Sequence, residues 1–102
     1  MTDLVLAKRK EIEALCSLCG VRRLDLFGSA ATGRFDPASS DVDFLVEFGP
    51  LAPGERAEAF FSLLEGLERL LDRRVDLVVD TAIRNRHFRE AVHETRQVVY
   101  AA

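Results

Sequence analysis

Between residues 41 and 48 the sequence reads DVDFLVEF, and this alternation narrows the possible folds more than any other segment. Val42, Phe44, Val46 and Phe48 recur every second residue, so a strand turns them to one side. Asp41, Asp43, Leu45 and Glu47 fall on the other. Two carboxylates at i and i+2 then project from one strand face. Paired acids on a half-buried strand repel each other and are costly to desolvate. A structural role rarely needs that pairing. A hard divalent cation relieves it, and magnesium prefers carboxylate oxygens, water and phosphates.

The surrounding pattern interleaves strands with helices. Residues 3–19 form an amphipathic stripe ending at Gly20, suited to the left-handed position after a helix. VRRLDLFG at 21–28 alternates as a strand, with Leu24 and Leu26 set against Arg23, Asp25 and Phe27. SAATGRFDPASS has room for one helical turn and a loop. After the GPLAPG break, Ala57, Phe60, Phe61, Leu64, Leu67 and Leu71 form a helical stripe. RRVDLVVD at 73–80 is dense enough in apolar residues to predict a central strand buried on both sides. Asp80 or Thr81 is expected to cap a last helix with the stripe Phe88, Ala91, Val92 and Thr95. QVVY at 97–100 either adds an edge strand or extends that helix. The fold class is therefore α/β (α+β), a small mixed three- to four-stranded sheet covered by helices. The two carboxylate-bearing strands are expected to be neighbours.

With 102 residues there is length for one core and not two, giving a single domain over 1–102. No apolar run approaches the roughly 20 residues that span a bilayer. The N-terminal segment does not read as a signal peptide, so a cytoplasmic location is expected. A net charge of −3 argues against a dedicated nucleic-acid binder, despite Arg84, Arg86, Arg89 and Arg96 near the C-terminus. Cys16 and Cys19 form a C-x-x-C, but they share a stripe with Ile12 and Leu15, which marks a buried helix face. His87 and His93 lie far along the chain from them, which argues against zinc.

The third strand contributes Asp76, which points away from its neighbours Val75 and Leu77. Three acids are the set needed to hold two metal ions for in-line displacement at phosphorus. Asp80, four residues on along the same face, competes for that third place. Gly28-Ser29 offers the complementary half. Glycine allows close backbone approach, and the following turn presents N–H groups and a hydroxyl to phosphate oxygens. A lone Gly-Ser or a lone D-x-D is weak evidence. Their order and spacing, with a third strand acid, make the combination specific.

On these residues the chain resembles the nucleotidyltransferase superfamily that includes DNA polymerase beta, and within it the minimal, antitoxin-type (MNT) members. LFGSAATGRFDPASSDVDFLVEF carries the resemblance, supported by RRVDLVV. It implies that Asp41 and Asp43 bind two Mg2+ ions, and that Asp76 completes the site and helps deprotonate the acceptor hydroxyl. Gly28 and Ser29 would hold the triphosphate, with Ser40 and Arg34 as further nucleotide contacts. Many minimal members carry arginine immediately before the second glycine, where this chain has Thr32; Arg34, after Gly33, is the candidate replacement. The implied reaction is transfer of AMP from ATP to a hydroxyl on a HEPN-domain toxin. Two rivals stand beside it: a non-enzymatic antitoxin or nucleotide-binding module that neutralises its partner by contact, and a metal-dependent phosphoesterase.

Overall fold

The structure, a computed structural model, describes residues 1–32 and 41–102. In chain order the elements are α1 (Asp3–Ala7), α2 (Arg9–Leu18), β1 (Val21–Phe27), α3 (Ser29–Thr32), β2 (Val42–Phe48), α4 (Glu55–Leu71), β3 (Val75–Val79), α5 (Arg86–Thr95) and β4 (Gln97–Ala101). A 3-10 turn over Asp80–Ala82 joins β3 to the segment leading into α5. The strands form one sheet in the order β3-β2-β1-β4. β2 and β3 run parallel, joined through α4; the β1–β2 and β1–β4 pairs are antiparallel. The expected mixed sheet is thus present, and residues 97–100 resolve as part of an edge strand.

One sheet face carries most of the core. Leu24, Leu26, Val42, Phe44, Val46 and Leu77 pack with Val5, Ile12 and Cys16 from the N-terminal helices and Leu63, Leu67 and Leu71 from α4. The opposite face holds a smaller cluster of Phe27, Leu45, Ile83 and Val92. Strand alternation explains the division: Leu45, between Phe44 and Val46, turns away from them and still finds cover. Among the described residues, no helix is long and apolar enough to cross a membrane.

Four local expectations need correction. The helix expected over 3–19 is two helices, broken at Lys8, whose N–H turns back to the Val5 carbonyl (3.1 Å) with no Pro or Gly to signal it. Gly20 does take the left-handed conformation, at φ 70°. In α4 the buried stripe is Leu63, Leu67 and Leu71, and Phe61 is 59% exposed. Phe61 lies roughly 120° around the helix from the centre of that stripe. Among the described residues β3 is an edge strand rather than a central one, since it pairs only with β2, and Leu77 is its one buried residue. Neither Asp80 nor Thr81 caps the last helix. Asn85 does, its Oδ1 accepting from the Phe88 N–H at 3.1 Å, after the chain has first turned Ile83 into the smaller cluster.

Candidate active site

Asp43 sits second in β2, and the sheet gives it two cross-strand partners. In the parallel pair its register partner is Asp76; in the antiparallel pair it is Phe27. Side chains opposite one another across a ladder share a face, so the carboxylates of Asp43 and Asp76 stand side by side. Asp41 lies two residues earlier, exposed at the entry to β2. Burial, and then the negative charges of Asp76 and Asp41, push the Asp43 carboxyl up from 3.8 to about 6. Among the described residues no three His, Cys, Asp or Glu side chains converge tightly enough to make a ready metal cage. Asp43 is thus the acid that feels both of the others, Asp76 beside it in the register and Asp41 two residues before it.

Gly28 forms the opposite wall. It follows Phe27 at the end of β1 with φ 71°, a conformation that disfavours any side chain. A Cβ there would lie 2.5 Å from Asp43 Oδ2, so only glycine lets the turn approach the acid this closely. The Gly28 N–H donates to Thr95 Oγ1 at 3.2 Å, fastening the turn to the end of α5. Its carbonyl accepts from the Ala31 and Thr32 amides at 3.1 and 3.2 Å, closing the single turn of α3 that Ser29 opens. In the sequence Thr95 reads as one more residue of a helix stripe; its hydroxyl contact to a residue 67 positions away carries no local signal.

The remaining candidates separate clearly. Asp80 does not compete with Asp76. The register places Asp76 beside Asp43, while Asp80 begins the turn after β3 and lines a small enclosed space with Arg23, Asp25, Glu47 and Arg96. Ser40 and Arg34 lie outside the described residues. Cys16 is fully buried, its thiol pushed up to about 12 by burial and then by Cys19 and Glu13, and burial also raises Cys19. Neither is poised as a thiolate. Asp25, unmarked by any motif, is 1% exposed. It accepts from Arg96 Nε at 2.6 Å and from Arg23 Nε at 3.0 Å. That bridge joins β1 to the junction of α5 and β4, and so steadies the helix end that holds Gly28.

A model of the nucleotidyltransferase domain matches residues 8–99. The chain belongs to this family, and it is a nucleotidyltransferase. Two proteins of Methanocaldococcus jannaschii, each named a candidate protein adenylyltransferase, are 33% and 34% identical to it over 90 residues, covering 88% of this chain and 86% of theirs. A solved structure described as a candidate minimal nucleotidyltransferase superposes with a TM-score of 0.76 at 32% identity, covering 95% of each chain. The nucleotidyltransferase also shares its fold with a toxin-antitoxin structure holding AMP-PNP (TM-score 0.68, 24% identity, 92% of this chain and 73% of that one). Another such neighbour is a Shewanella oneidensis complex of a tri-AMPylated HEPN toxin with an MNT antitoxin (TM-score 0.63, 21% identity, 95% and 72%). At these lower identities the likeness concerns the fold.

Proposed function

We propose that this nucleotidyltransferase transfers AMP from ATP to a hydroxyl of a partner protein, with Asp41, Asp43 and Asp76 as its metal-binding acids. The observation that carries the reading is the juxtaposition of Asp43 with Asp76 across β2 and β3, with Gly28 pressed against the same carboxylate. Three carboxylates within electrostatic reach suit magnesium, a hard cation that takes oxygen ligands. Mg2+, when bound there, would supply neutralising charge to the triphosphate and its leaving pyrophosphate. Asp41 and Asp43 would hold two such ions; Asp76 would complete the set and take the proton of the acceptor hydroxyl. The Gly28-Ser29 turn holds the phosphate tail, joined by Ser40 and by Arg34, whose guanidinium suits phosphate. The new bond runs from the acceptor oxygen to the α-phosphorus, and the bond to the bridging oxygen of pyrophosphate breaks. Catalysis is then a matter of position and charge.

The acceptor is assigned by kinship. The Methanocaldococcus relatives are named for protein adenylylation, and one fold neighbour stands in complex with an AMPylated HEPN toxin. We therefore assign an antitoxin role towards a HEPN-domain partner. The test is to incubate the pair with α-labelled ATP and Mg2+. Label on the partner with release of pyrophosphate is expected, and Asp43→Asn should abolish both. Orthophosphate release would favour a phosphoesterase. An Asp43→Asn chain that still neutralises the partner would favour inhibition by contact alone.

A further inference from the structure

Phe88 is a large apolar side chain left 42% exposed on α5, a helix that buries Val92 and leaves Ala91 in solvent as well. It sits in the first turn of α5, where the Asn85 cap fixes its backbone. Its ring meets Phe27 edge-on, with centroids 6.2 Å apart and planes at 88°. Phe27 is itself nearly buried, is the register partner of Asp43, and immediately precedes Gly28. An exposed aromatic surface therefore stands one ring away from the place where Asp43 meets the glycine-serine turn. Strand sterics put Phe27 and Asp43 on the same face, about 5 Å apart at Cβ, so Phe88 lies on the acid-bearing side of the sheet.

We infer that Phe88 is the platform on which the base of the nucleoside triphosphate stacks, making it a substrate-binding residue of the site. Leaving half an aromatic side chain in water is unfavourable, and a heteroaromatic base covers it at little cost in order. The edge-on contact with Phe27 holds the ring in place, so its outer surface is presented in a fixed orientation. A flat π-surface accepts any base with similar strength, which predicts weak discrimination among ATP, GTP and CTP. The inference rests on the nucleotidyltransferase reading of the acids, and its test separates the two.

The chain contains no tryptophan, so Phe88→Trp installs a sole reporter. Adding ATP with Mg2+ should quench its fluorescence, whereas inorganic tripolyphosphate with Mg2+, which lacks a base, should leave it unchanged. Phe88→Leu keeps apolar packing on Phe27 and removes the π-surface. It should raise the KM for ATP roughly tenfold with kcat little altered, and leave the affinity for tripolyphosphate at the parent value. Equal quenching by ATP and tripolyphosphate, or an unchanged KM in Phe88→Leu, would overturn the stacking role while leaving the enzyme reading intact. If the parent chain binds no ATP in equilibrium dialysis, the enzyme reading falls and the stacking role falls with it.

Discussion

A carboxylate obliged to ionise beside two others, partly withdrawn from water, opposes folding at neutral pH. For Asp43 the sign follows from the direction of its shift. Its folded value, about 6, lies above the ordinary 3.8. The folded chain is thus relatively favoured below 3.8, and that advantage is lost as pH rises through 6. Asp43→Asn should therefore be more stable than the parent at pH 7.5. The gain should be about 1 kcal/mol, after discounting for its partial exposure to solvent. The gain should disappear by pH 4, as thermal unfolding at the two pH values would reveal. Gly28 makes the opposite prediction. Gly28→Ala places a methyl group against Asp43 Oδ2 in a left-handed backbone. It should cost about 1–2 kcal/mol in urea unfolding and remove transfer activity. Both residues were legible from their neighbours alone, because D-x-D on a strand and Gly-Ser after one are local patterns. Asp25 was hidden: a lone acid between two leucines looks solvent-facing until a partner 71 residues away covers it.

The elements were legible where period and composition agreed, as in β1, β2 and α4, and misread where tertiary context decided. β3 has the apolar density of a central strand, yet its neighbours are set by sheet order, which no short window encodes. Asn85 caps α5 after the chain has delivered Ile83 to the smaller cluster, a requirement invisible from the residues at the cap. The Asp25–Arg96 pair fastens α5 and β4 to β1. Arg96→Ala should destabilise the chain by about 3 kcal/mol in urea unfolding, because it strands a buried carboxylate with Arg23 as its remaining partner. Through the Thr95 contact it should also loosen Gly28, seen as faster amide exchange at Gly28 than in the parent.

For the whole molecule, the acids imply that ligand and fold stabilise one another. Mg2+ and ATP relieve the repulsion within the site, so at a hundredfold excess over Kd they should add about 2.7 kcal/mol. That corresponds to a rise in Tm on the order of 10 °C for a domain of this size. Scanning calorimetry should show the rise in the parent chain and little of it in Asp43→Asn.

The position of β3 bears on what kind of substrate can reach the acids. Asp76 belongs to a rim strand, with β2 along one flank and, among the described residues, no further strand on the other. A centre walled on every side admits only what diffuses into it, whereas one that opens at the margin of a sheet can be offered a side chain still attached to a folded surface. Such a margin suits a tyrosine or serine that never leaves its own protein.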